Sequence, residues 1–213
     1  MGPVPRPYAP LVLSSYRRVL TEPGTLRFSA TGLVARLPIS MVSLGIVLLV
    51  STATGSYGLA GAVSAAYLLA NAVLAIVHGR LTDALGQSRV LPVAITVFGV
   101  ALAMLMWAVE SGWPDWAAYV IAAVAGAALP QVGSCVRARW SHALSSPADV
   151  QTAYALEAVA DEAVFIVGPI LVTVLATTWH PLAGLSVGVL ARLRTADRWP
   201  RIDAVVTPTL PVA

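Results

Sequence analysis

Charge is what this chain has least of. Only 11% of its 213 residues are charged, against about 25% in a soluble globular domain, while 58% are hydrophobic and the mean hydropathy is +0.80. That balance excludes a soluble domain and calls for a multispan membrane fold. Lysine is absent altogether, so every one of the thirteen basic residues is an arginine. Together with the richness in Ala and Val, this points to a high-GC bacterial source. The lone Cys135 excludes an internal disulfide and any multi-cysteine metal site. His78, His142 and His180 fall at span ends or in loops without ligand spacing, so no metal and no other cofactor is expected. The first residues, with Pro3, Pro5, Pro7 and Pro10, lack the apolar core and small-residue cleavage site of a secretory signal peptide. The basic residues flank apolar runs rather than forming a soluble patch, so the expected partner is the lipid bilayer and not nucleic acid.

Long apolar runs are what the chain does have. A bilayer core about 30 Å thick needs roughly 20 residues of helix. Five runs meet that length, at about 30–51, 57–78, 90–109, 116–136 and 153–177. A sixth, 181–193, has thirteen residues and a helical length of only about 20 Å. The expected fold is therefore an all-α membrane protein: a six-transmembrane helical bundle whose sixth helix is short. Residues 1–23 form a leader, 24–193 the helical domain and 194–213 a tail. Residues 11–20 read either as a short amphipathic helix on the inner leaflet or as a basic disordered stretch.

Arginine placement sets the orientation. Arg6, Arg17, Arg18 and Arg27 precede the first span, Arg80 and Arg89 follow the second, and Arg137 and Arg139 follow the fourth. Arg192, Arg194, Arg198 and Arg201 come at the end of the sixth run or after it. The alternate loops contain none. By the positive-inside rule both termini are cytoplasmic. Arg36 alone breaks the alternation, because it lies inside a span.

Arg36 has possible partners at similar depth. Glu157, Asp161 and Glu162 lie early in the fifth span, and Tyr154, Glu157, Asp161 and Phe165 recur at helical spacing on one face. The first and fifth spans run in the same direction, so an Arg36–carboxylate pair is expected there, or a proton-coupling site at Asp161. Tyr67 and Asn71 in the second span, with Gln131 and Ser134 in the fourth, are candidate substrate contacts; helix-to-helix hydrogen bonding is the competing reading, above all for Asn71. Pro38 and Pro169 mark expected helix kinks. Gly184-Leu185-Ser186-Val187-Gly188 has the spacing of a hydrolase nucleophile elbow, but its setting in an apolar helical run fits helix packing instead.

The segment 79–89, Gly-Arg-Leu-Thr-Asp-Ala-Leu-Gly-Gln-Ser-Arg, is a polar break between two apolar runs. Gly79, Asp83, Gly86 and Arg89 resemble the loop between the second and third helices of the major facilitator superfamily, and its cytoplasmic position agrees. Gln87 departs from the pattern, where the family often has a basic residue. Gly168-Pro169 is similar to part of the family's fifth-span antiporter motif, although the longer glycine series is missing. The family's fourth-span arginine is absent from 116–136. The resemblance implies the N-terminal six-helix half of a secondary transporter that moves a small solute by alternating access, with proton-coupled efflux, in a bacterial inner membrane. It gives Asp83 the part of a conformational latch. A whole transporter of this family has about twice the length, so the chain is expected to be truncated, to form a homodimer, or to be complemented by a second half. The alternatives are a non-transporting membrane subunit or scaffold, and a membrane-embedded enzyme. The enzyme lacks the clustered aspartates or Ser–His pair it would need.

Overall fold

A computed structural model describes the backbone of residues 9–196 and the side chains of residues 14–190. Residues 1–8 of the expected leader and 197–213 of the expected tail, with Arg6, Arg198 and Arg201, lie outside the described residues. Eight helices occupy the described part: α1 (Ala9–Thr21), α2 (Thr25–Thr54), α3 (Tyr57–Leu85), α4 (Gln87–Glu110), α5 (Asp115–Ala127), α6 (Val132–Ala143), α7 (Pro147–Thr178) and α8 (Pro181–Ala196). No strand occurs among the described residues. Five segments are long and apolar enough to cross a membrane: α2, α3, α4, the α5–α6 pair taken together, and α7. The short α8 packs beside them against α2, α4 and α7, as a half-bundle with a short sixth helix requires.

The central helix is α2, which touches every other helix except α5 among the closely packed pairs. Its buried face, including Phe28, Val42, Ile46, Leu49 and Val50, forms the spine of two apolar clusters. One lies toward the α2–α3 turn with α3, α4, α5 and α8. The other lies toward the α1 end, where Trp140 of α6 meets Phe28 edge-on at 4.7 Å. The exposed apolar faces of α3 and α7 satisfy the same requirement in lipid, which solvates Leu and Val side chains as well as a protein core does.

Two differences from the sequence expectation have clear causes, and the first helix follows one of the two readings of residues 11–20. Residues 79–85 are not loop: α3 runs on to Leu85, because nothing in Arg80–Leu85 breaks a helix, and the turn shrinks to Gly86. Gly86 sits at φ 83°, where an L side chain is strained, and its N–H closes the helix on Thr82 O at 3.0 Å. The fourth span is not one helix ending at 136. It breaks at Pro130, then continues as α6 to Ala143, so Arg137 and Arg139 belong to the span rather than to a loop. The leader is helical from Ala9 to Thr21, with Val19 buried and Arg18 paired with Asp149 of α7 at 3.7 Å.

Pro38 and Pro169 lie within unbroken helices. Gly168, beside Pro169, is a close-contact glycine: a Cβ there would overlap the Ser40 side chain of α2. α8 is a helix through Gly184–Gly188, and Gly184 lies against Val172 of α7, which makes that pair a packing element and not a nucleophile elbow.

Candidate functional site

The buried charges collect at one place. Arg36 is eleven residues into α2 and Glu157 ten residues into α7, so at 1.5 Å per residue both lie about 15 Å from their helix starts. Gly32, one turn before Arg36, meets Val136 of α6 so closely that any Cβ would displace it, and this lets the guanidinium reach between α6 and α7. Arg36 Nη2 donates to Glu157 Oε2 at 2.5 Å, and Nη1 donates to Asp161 Oδ1 at 2.9 Å. Arg137 of α6 donates from Nη2 to the other Asp161 oxygen, Oδ2, at 3.0 Å.

The two carboxylates differ in setting. Glu157 has 1% side-chain exposure and takes two further bonds on Oε1: from Ser29 Oγ at 2.9 Å and from Trp140 Nε1 at 2.7 Å. Three donors on three side chains hold it, and breaking a buried pair of this kind is costly. Asp161 is 28% exposed and shares its oxygens between a buried arginine and a half-exposed one. Two arginines and two carboxylates make the network electrically neutral.

The structure brings Arg36, Glu157 and Asp161, expected at similar depth, into contact. Glu162 does not join them; it is exposed and has no hydrogen bond or ion pair among the described residues. Ser29, Arg137 and Trp140 are hydrogen-bond partners of Glu157 or Asp161 that the sequence reading missed. Their signal was the helical spacing of Arg137 and Trp140, which becomes legible once α6 is followed beyond Val136.

The expected substrate contacts are dispersed. Gln131 Nε2 donates to Asn71 Oδ1 at 3.0 Å, so these two bind each other across helices. Tyr67 is buried beside Gly126, and Ser134 is exposed and donates to Gln131 O at 2.8 Å. A double-mutant cycle of Asn71→Ala and Gln131→Ala is expected to give a coupling of about 0.6 kcal/mol in detergent unfolding, the average for such bonds in a membrane helix bundle. No coupling would mean that the two side chains do not hold each other.

The expected latch residues are also apart. Gly79 lies inside α3 with nothing within 4 Å of where a Cβ would stand. Asp83 and Arg89 are exposed, and no side-chain hydrogen bond or ion pair joins either to a described residue. The contact at this corner comes instead from Gln87, whose Oε1 accepts from the buried Arg139 Nε of α6 at 3.1 Å. No group of three or more potential metal ligands occurs among the described residues.

Five segments long and apolar enough to cross a membrane, with a network of buried and half-exposed ion pairs between them, define a multispan helical membrane protein. The family model of the Major Facilitator Superfamily matches residues 28–192, about three quarters of the chain, and the chain belongs to that family of membrane transporters, which are not enzymes. Neither a curated protein nor a solved structure matches it.

Proposed function

We propose that this chain carries out secondary active transport of a small solute by alternating access, coupled to proton movement and running as efflux. The observation that carries the reading is the position of Asp161 between Arg36 and Arg137. Glu157 stays tied to α2 and α6 through Arg36, Ser29 and Trp140, which supports a fixed hinge of three helices. Protonation of Asp161 removes the charge that pairs with Arg137 and with Arg36 Nη1, which loosens the Asp161 end of the α6–α7 contact while Glu157 keeps α2, α6 and α7 joined. That is a two-state element which a proton biases directly.

Asp83 and Arg89, at the end of the bundle that the arginines mark as cytoplasmic, serve as the latch in the opposite conformation, closing on a second helical unit. That unit is a second copy or a complementing half. The bacterial inner membrane, with both termini cytoplasmic, fits the arginine alternation.

The test is flux in everted vesicles across a panel of labelled small solutes, with and without an imposed pH gradient. Wild-type vesicles are expected to show gradient-dependent movement of at least one solute. Asp161→Asn is expected to lose the gradient dependence by tenfold or more while keeping solute exchange. Full gradient dependence in Asp161→Asn would remove the coupling role, and no flux at all with stable membrane insertion would favour a scaffold.

A further inference from the structure

The end of the bundle opposite the arginines is chemically distinct. Its turns carry Glu110, Asp115 and His180 but no arginine. It also carries an exposed aromatic girdle of Tyr57, Trp107, Trp113, Trp116 and Trp179. Between the last turn of α2, the first turns of α3 and α5 and the end of α4 lies a cavity of about 240 Å³. Val50, Leu59 and Val109 contribute apolar wall, Trp113 an aromatic wall, and Thr54 and Asp115 the polar side chains.

Thr54 is already occupied: its hydroxyl donates to Val50 O at 2.7 Å and accepts from Ser56 N–H at 3.2 Å. Asp115 is not. The N-cap of α5 is Pro114, with no side-chain cap bond, and the Asp115 carboxylate has no hydrogen bond or ion pair among the described residues. The one charge lining the cavity is therefore negative and unmatched. Trp113, held at 5.3 Å centroid distance from Trp107, adds a π-face; it and Asp115 lie exposed at the mouth of the cavity, and a carboxylate beside an indole is a pairing that attracts ammonium groups.

We propose that this cavity binds a small organic ammonium ion, with Asp115 pairing its charge and Trp113 covering its alkyl groups. The size sets the class. About 240 Å³ falls below the ~300–1,000 Å³ of sites for drug-sized ligands. A choline-like or ethanolamine-like group fits those limits; an anion or a large aromatic drug does not. Such a group comes either free from the aqueous phase or as the headgroup of an aminophospholipid in the adjoining leaflet.

The test is calorimetric titration of the purified full chain in a neutral detergent with choline. Saturable binding is expected. Asp115→Asn is expected to weaken it at least tenfold, whereas Glu110→Gln, outside the cavity, leaves it within twofold. The neutral isostere 3,3-dimethylbutan-1-ol is expected to bind wild-type protein at least tenfold more weakly than choline, a comparison that needs no variant to fold. Repeating the titration in vesicles separates the sources. Choline affinity that falls in phosphatidylethanolamine vesicles but not in phosphatidylglycerol vesicles identifies the headgroup as the occupant, and equal affinity in both identifies the free ion. Absence of saturable choline binding in detergent, equal binding of the neutral isostere, or equal losses in Asp115→Asn and Glu110→Gln would overturn the site.

Discussion

Arg36→Gln is expected to destabilise the bundle by about 3–5 kcal/mol, the range for removing one partner of a buried ion pair. The reason lies in what remains. Glu157, with 1% side-chain exposure, keeps Ser29 and Trp140 as hydrogen-bond donors but loses its only cation. Asp161 suffers less, because Arg137 stays beside it at 3.0 Å. Arg137→Gln therefore makes the proper comparison. It removes a charge that is 49% exposed, where an ion pair contributes about 0–1 kcal/mol. Removing both charges as Arg36→Gln with Glu157→Gln is expected to recover much of the loss, since a buried pair replaced as a pair is often near neutral. Unfolding in mixed micelles, followed by circular dichroism, measures all four proteins on one scale. If Arg36→Gln proves no worse than Arg137→Gln, the buried pair does not hold the helices together.

Gly126→Val is expected to be the second large loss, and the cause is backbone rather than charge. A Cβ at Gly126 would overlap the carbonyl oxygen of Tyr67, which belongs to the α3 backbone and has no rotamer through which to move away. Helices α3 and α5 must then separate, and overpacking of this kind costs about 1–3 kcal/mol or more. The contrast is Gly79→Ala, where a Cβ meets nothing within 4 Å. Gly79 lies inside α3, so alanine is expected to be stabilising by up to about 1 kcal/mol through helix propensity alone. The same unfolding assay distinguishes the two. Equal effects of the two substitutions would mean that the α3–α5 contact is not set by Gly126.

Much of this was legible because hydropathy in a bilayer is a one-dimensional signal. The five long spans and the short α8 appear in the sequence as runs of apolar residues, and Arg36 with Glu157 and Asp161 as the exceptions within them. The depth match between the first and fifth spans followed from helix direction alone. Other features needed three dimensions. Nothing in the composition of 116–136 says that Pro130 interrupts a span which then resumes as α6, so Arg137 was read as a topological marker. It is a partner of Asp161. Trp140 carries no sequence signal of its role, yet it is fully buried and donates to Glu157. Asn71 and Gln131 were read on separate spans, and only the meeting of α3 with the α5–α6 break brings them to 3.0 Å. The loop at 79–89 was legible as a family mark but not as a shape, because helix propensity carries α3 through to Leu85.

The proposed coupling makes Asp161, rather than the buried Glu157 or the exposed Glu162, the carboxyl group that exchanges a proton. Infrared difference spectroscopy of the purified protein across a pH step reads this without knowledge of the substrate, through the stretch of a protonated carboxyl group. The account predicts a titrating band that is present in wild type and in Glu162→Gln and absent in Asp161→Asn. A band that survives Asp161→Asn but vanishes in Glu162→Gln would contradict it and move the exchanging proton to the exposed face of α7.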